Sequence, residues 1–347
     1  MPVFFEEDVM CRDVCGKMYV LLIYVVLMYV MVCCSSHVFA NVNWVSSYQQ
    51  ALQTAQQQHK PIFIYFYSPG INPCVRFDRE TLANEEVISF LNHHFISLRV
   101  NTEQDRTMAS RFGLFRVPTI MIQDYAGNEF LRLITFYPAD KLLASLREVT
   151  AKTAPQAATQ PRSGGTFRDA RAIFYEPFET LYGWGSEGSS ENSMAQISLV
   201  PGIKGNAFKV DYELRRDQHN YIQIHRALWA DEQMTLPQTY TVIFHLAGTG
   251  GRNNLDLKFA DDDGTNVGIV FPLPTDFKDH TFVLTSDQIK YLWGGKNTTL
   301  DKFSVFLIAV SPIDATNPAV PSGEKGAFFI DEMMILPGIH KGYPSGQ

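Results

Sequence analysis

The stretch FYSPGINPC, residues 66–74, decides how the first half of the chain folds. It closes a longer run, PIFIYFY at 61–67, that is apolar or aromatic at every position, the pattern of a central strand buried on both faces. SPGINP at 68–73 then carries the residues of a tight turn, and CVRFDRETL from Cys74 opens a helix. Upstream, Trp44, Tyr48, Leu52 and Ala55 recur at helical spacing, which predicts a helix over 44–60. Downstream, EEVISFLNHHF (85–95) reads as a helix, FISLRVN (95–101) as a strand, and QDRTMASRFGL (104–114) as a helix ending near Gly113. VPTIMIQD (117–124) and FLRLITF (130–136) are strands joined by a YAGNE hairpin turn carrying Gly127, and a helix over 139–150 closes the unit. This order predicts a central mixed sheet with helices on both faces.

With those elements in place, residues 43–150 resemble the thioredoxin fold. The family carries WCGPC between strand and helix and, later, a cis-proline loop. Here Gly70 stands at the Trp position, Ile71 at the first Cys, and Pro73–Cys74 match, while Val117–Pro118–Thr119 matches the loop. The segment after Cys74 is similar to that of secreted thioredoxin-like proteins. The resemblance implies an α/β thioredoxin-like domain without its attacking thiolate, because Ile71 has no nucleophile. Cys74 alone could form a mixed disulfide with a client but could not cycle between dithiol and disulfide. Its other reading is a packing cysteine in a redox-dead fold. The resemblance also implies a groove at Val117, Pro118, Ile71 and Pro73 that pairs with an extended polypeptide by strand addition.

The whole chain has 347 residues, 46% hydrophobic and 19% charged, with a net charge of -7, enough for two cores. It lacks the clustered Lys and Arg that phosphate neutralisation needs, which argues against a nucleic-acid partner. Ten acidic and ten basic side chains balance over 41–150, so most of the acidity lies in the second half. Of the five cysteines, those at 11, 15, 33 and 34 fall in or before an uncharged apolar run at 18–34. Arg12 and Lys17 precede that run and SSHVFA follows it, the layout of a secretory signal ending at residue 40. The acidic Glu6–Asp8 is wrong for a signal flank, so Met10 or Met18 is the better start. Cleaved, the segment delivers a periplasmic or secreted protein; retained, it anchors the chain in a membrane.

Residues 151–167, AKTAPQAATQPRSGGTF, contain almost no large apolar side chain and read as a flexible tether between halves that move relative to each other. From 168 to 340 short alternating runs replace the helical period: FKVDYEL, YIQIHRAL, YTVIFHLAG, LDLKFA, VGIVFPL, HTFVLT, FSVFLIAV and AFFIDEMMIL. No helical crossovers separate them, which predicts an all-β sandwich of jelly-roll type, followed by a tail at 341–347. DDDG at 261–264 reads as a β-turn with its glycine at positive φ. Residues 176–336 resemble the galactose-binding-like β-sandwiches, in particular carbohydrate-binding modules, through GNAFKVDYEL, LDLKFADDDG, the WGG turn and GAFFIDEMMIL.

Sugar binding needs exposed aromatic faces to stack on a pyranose and planar polar groups for its hydroxyls. The candidates are Tyr182 and Trp184 in the glycine-rich loop LYGWGSEG, Trp229, and Tyr291 with Trp293, with Arg226, Arg252, Asn253, Asn254 and Asp256 as polar partners. Each tryptophan has the competing reading of a cap on the core. The resemblance further implies a structural calcium at Glu179 and Asp331, against which stands a simple pairing of Asp331 with a neighbouring turn. No other cofactor is required, and no paired catalytic carboxylates, Ser-His-Asp order or HExxH string stands out. The expectation is an exported, non-catalytic binding protein whose partners are a glycan and an extended polypeptide or envelope protein. The alternative is a monothiol redox protein using Cys74, localised by the sandwich.

Overall fold

The computed structural model describes Ile23–Tyr24 and residues 41–114, 116–153, 169–188, 193–203, 205–214, 221–313 and 325–341. The chain divides into a unit at Met1–Asn41 and a unit at Val42–Gln347. In the first, Ile23 and Tyr24 are helical and exposed, and the rest of the expected signal or anchor lies outside the described residues. Among the described residues no helix is long and apolar enough to cross a membrane.

The second unit begins with a short strand, β1 (Trp44–Val45), where a helix was expected. Ser47 is the reason: its side chain accepts the Gln50 N–H, so the helix starts only at α1 (Tyr48–Gln58). The deciding strand is β2 (Ile62–Tyr67), placed between β3 (Ile96–Asn101), parallel to it, and β4 (Thr119–Gln123), antiparallel. Its alternation splits two cores, Phe63 and Tyr65 facing one and Ile62, Ile64 and Phe66 the other. After the turn come α2 (Asn72–Arg76) and, continuing it, a π-helical turn at Phe77–Thr81. Helices α3 (Glu85–His94) and α4 (Arg106–Arg111), strand β5 (Glu129–Ile134) and α5 (Ala139–Thr153) complete the first half.

The second half is a two-sheet antiparallel sandwich. Strands β8 (Met194–Pro201), β9 (Asn206–Glu213), β17 (Lys325–Pro337), β11 (Tyr240–Gly250) and β14 (His280–Thr285) lie side by side, with β6 (Phe174–Glu176) also on β17. The facing sheet runs β15 (Lys290–Trp293), β13 (Asn266–Pro272), β12 (Asn253–Ala260), β16 (Val305–Pro312), β10 (Ile222–Ala227), β7 (Trp184–Gly188). Alternate residues such as Phe208, Val210, Val242, Phe244, Leu257, Phe259, Phe306 and Ile308 meet between the sheets. On β17 the alternation changes phase: Phe328 and Ile330 point inward, then Met333 and Ile335 do. Glu332, at φ 51, absorbs the extra residue as a bulge. DDDG forms its turn, with Gly264 at φ 88 and the Thr265 N–H donating to Asp261 Oδ1.

The two halves do not hang on a tether. Strand β5 pairs antiparallel with β8, Leu131 opposite Ser198 through Ile134 opposite Ala195, so one sheet of eleven strands runs through both. Ile134 enters the sandwich core and Met194 the core of the first half. Lys141 pairs with Glu213, and Ser145 donates to Gln196 at 2.8 Å. Beneath this seam Arg132 and Glu129 form a two-pronged pair at 2.6 and 2.7 Å with both side chains almost fully buried, and Arg132 Nη1 also donates to the Trp184 carbonyl. Burial pushes the Glu129 carboxyl up despite Arg132. It pushes the His225 imidazole down to about 4, with the Arg132 charge adding to the effect. Gly113, at φ 61, lets the α4 exit approach the same carbonyl, since a Cβ there would sit 3.1 Å from it. The expected independent motion is therefore corrected by the strand pairing. Of the expected linker, 151–153 end α5, and the remainder lies outside the described residues. Of the tail, only Lys341 is described.

Candidate functional site

At the end of β2 the chain turns through Pro69 and Gly70, and Ile71 becomes the N-cap of α2 without a side-chain hydrogen bond. Its carbonyl accepts the N–H groups of Cys74 and Val75. Ile71 and Val75 are exposed, whereas Pro73 and Cys74 are buried, Cys74 to 1%. Burial pushes the Cys74 thiol up, and Asp78 adds to this, while the Ser68 backbone and Tyr65 oppose it. The Tyr65 hydroxyl donates to the Cys74 carbonyl at 3.4 Å. The sulfur is thus neither accessible nor disposed to ionise, and Cys74 is the only cysteine among the described residues. The Val117–Pro118 bond is cis, as the motif implies. Because Phe66 pairs with Thr119, residues 117–118 lie at the same end of the sheet as the 68–71 turn. Ile71, Val75 and half-buried Val117 leave an apolar rim there.

The sandwich carries a cleft of about 430 Å³ bordered by β6, the 177–182 segment, the start of β7, β10 and the 229–234 turn. It brings Tyr182, Arg226 and Trp229 together although 47 residues of sequence separate the first from the last. Tyr182 is 48% exposed and Trp229 54%. Arg226 reaches across the floor, donating through Nη1 to Glu176 Oε2 at 2.8 Å and through Nη2 to Glu232 Oε1. Glu232 also accepts the Trp229 N–H at 3.0 Å, which fixes the turn that presents the indole. Burial pushes the Glu176 carboxyl up, partly offset by Arg226. Sequence reading missed both glutamates; the available signal was an acid on the inward side of a short strand, FYE, and one three residues after an exposed tryptophan.

Trp184 requires correction. Its loop is strand β7, pairing with β10, and the side chain is 1% exposed, packed against Phe178, Phe208 and Phe306 at 5.0–5.7 Å between ring centres. An indole enclosed in this way supports the cleft from below and cannot stack on a sugar. Asn253 is likewise buried and donates to the Tyr212 hydroxyl at 2.9 Å. Tyr291 and Trp293 are exposed, but they sit on β15, at the opposite edge of the sheet from β7.

Glu179 and Asp331 both grip the β8–β9 turn. Asp331 Oδ2 accepts the Ile203 N–H at 2.8 Å, and Glu179 Oε2 accepts the Asn206 N–H at 3.0 Å. Gly205, at φ 69, is required there, since a Cβ would fall 1.8 Å from Glu179 Oε1. Asp331 Oδ1 is buried with no hydrogen-bond partner, and burial, with Glu332 and Glu179 adding their charge, pushes its carboxyl up to about 7. That orphaned oxygen suits a hard cation. Among the described residues no cluster of three or more His, Cys, Asp or Glu stands at metal-binding separation, so such a cation would draw its other oxygens from backbone and water.

Residues 48–150 match the family model of the Thioredoxin-like domain. A stretch of 124 residues is 29% identical to the "Thiol:disulfide interchange protein DsbD" of Ralstonia nicotianae, covering 34% of this chain and 20% of that protein. Another, of 108 residues, is 27% identical to Anterior gradient protein 3 of Mus musculus, covering 29% and 65%. The chain thus spans from a fifth to just under two thirds of these relatives. Among solved structures, a Family 11 Carbohydrate-Binding Module from Clostridium thermocellum, in complex with a beta-1,3-1,4-mixed-linked tetrasaccharide, is 14% identical with a TM-score of 0.36, over 48% of this chain and 95% of the module. A thioredoxin from Thermus thermophilus is 24% identical with a TM-score of 0.30, over 33% and 91%. The chain joins a Thioredoxin-like domain at residues 48–150 to a two-sheet β-sandwich.

Proposed function

We propose that this is an exported, non-catalytic binding protein whose sandwich takes a glycan in the Tyr182–Trp229 cleft. One observation carries the reading: two exposed aromatic side chains and a polar floor built on Arg226 converge on one concavity. Aromatic faces supply the stacking surface for a pyranose, and the carboxylate and guanidinium groups supply planar hydrogen-bonding partners for hydroxyls. The thioredoxin-like half presents Ile71, Val75 and the Val117–Pro118 segment to an extended polypeptide, an envelope protein being the natural client of an exported chain. Export itself rests on the apolar run at 18–34. Calcium at Glu179 and Asp331 would neutralise the buried Asp331 oxygen and hold the β8–β9 turn.

A glycan array with the full chain tests the main reading. Binding that Trp229→Ala and Tyr182→Ala each weaken at least tenfold, with melting temperature preserved, is the expected result. A blank array, or binding indifferent to both substitutions, sinks it. Similarity to a thiol:disulfide interchange protein favours a second reading, in which Cys74 forms a mixed disulfide with a client. The burial of Cys74 weighs against it. Cys74-dependent capture of glutathione by the native protein would restore it.

A further inference from the structure

The cleft is not neutral. Among the described residues, Glu176, Glu179, Asp231 and Glu232 line it against one cation, Arg226. That cation is already engaged twice, by Glu176 and by Glu232, so its positive field is cancelled within the floor. Asp231 is exposed beside Trp229 in the 229–234 turn, while Glu179, on the 177–182 segment, turns its carboxylate to the Asn206 N–H of the β8–β9 turn and the proposed calcium. Even with Glu179 left out, and whether or not Glu176 holds its proton, Asp231 and Glu232 outnumber the guanidinium, so the described lining is net negative. Two electron-rich aromatic faces, Trp229 and Tyr182, stand over this surface, and a cation gains from both the ring faces and the carboxylates.

We propose that the cleft selects a glycan bearing free ammonium groups, an amino-sugar polymer, over neutral and anionic glycans. The proposal rests on the glycan-binding reading and names its substrate class. Neutral pyranoses would use the aromatic faces and hydrogen bonds to the polar floor, with no charge complementarity. Uronates and sulfated sugars would meet the carboxylates with no free cation among the described lining residues to answer them. An ammonium on C2 adds charge complementarity to the same stacking geometry, and the attraction from the exposed rim falls as salt screens it.

The test titrates the full chain, by calorimetry and by tryptophan fluorescence, with β-1,4-linked glucosamine hexamer at a pH where its amines are protonated. Its fully N-acetylated counterpart, cellohexaose and hexalysine are run in parallel. The expected result is binding of the amine hexamer at least tenfold tighter than of the acetylated and glucose hexamers. Trp229→Ala should abolish it, and Asp231→Asn should cut the preference for the amine hexamer over the neutral sugars several-fold. Equal, Trp229-dependent affinity for all three hexamers overturns the amine preference while leaving glycan binding intact. Amine binding that survives Trp229→Ala overturns the cleft as its location. Hexalysine binding as tightly, through Trp229, makes the ligand a basic peptide and overturns the proposal. Silence from every sugar defeats the proposal and the glycan reading together.

Discussion

Cys74 shows how one side chain's surroundings decide its chemistry. It occupies the position of a resolving thiol, yet it is sealed beneath the helix start and burial raises its pKa, so Cys74 in the native protein should be inert to thiol reagents and react only on unfolding. Uptake at Cys74, taken as the difference between the wild type and Cys74→Ala with and without denaturant, checks this, and Cys74→Ala should cost about 1–2 kcal/mol, measured by urea titration. Asp331 offers a second prediction. Its carboxyl is pushed up to about 7 in the folded state, above its unfolded value, so the protonated form is favoured by folding and stability declines as pH rises through that range. Relative to wild type, Asp331→Asn should be no more stable at pH 4 and more stable by about 1–3 kcal/mol at pH 8. Calcium should raise the wild-type melting temperature at pH 8 and leave that of the variant unchanged. A wild type insensitive to calcium would remove the metal from Glu179 and Asp331.

Among the elements, the seam between β5 and β8 is the most exposed to a single change. Arg132 is the shared partner of Glu129 and of the Trp184 carbonyl, and all three are buried. Arg132→Ala leaves a carboxylate and a carbonyl without their donor and should destabilise by about 3–5 kcal/mol, whereas Arg132→Met with Glu129→Gln should recover most of that loss. Thermal unfolding of the two variants separates the charge from the packing. The elements of the first half were legible in the sequence, because β2 is apolar on both faces and the helices keep their period. β7 was read as a loop, since its glycines and serine hide the strand pattern that turns Trp184 inward. β8 passed unnoticed, although Ala195, Ile197 and Leu199 alternate toward the sandwich core, because it serves two neighbours of different origin, β5 and β9, and Met194 at its start belongs to the other core. The phase change at Glu332 likewise breaks the period of β17. At the cleft, Tyr182, Trp229 and Arg226 were legible as residue types, but their convergence depends on strand pairings distant in sequence.

At the scale of the whole molecule, eleven strands in one sheet make the thioredoxin-like domain and the sandwich a single cooperative body. Calorimetry should record one transition for residues 42–347. A protease site inserted within 154–168 and then cut should leave the two fragments eluting together, held by the β5–β8 ladder, the Lys141–Glu213 pair and the interleaved cores. Fragments that separate without denaturant would show that the seam contributes little. The β5–β8 pairing also bears on how two binding faces act on one partner assembly. For modules joined by a string, the effective concentration of the second encounter is tuned by linker length. Here the span between the Ile71 rim and the Trp229 cleft is set by the sheet, so lengthening the 154–168 connection should leave avidity unchanged. Only partners whose two epitopes match that rigid span would gain from engaging both.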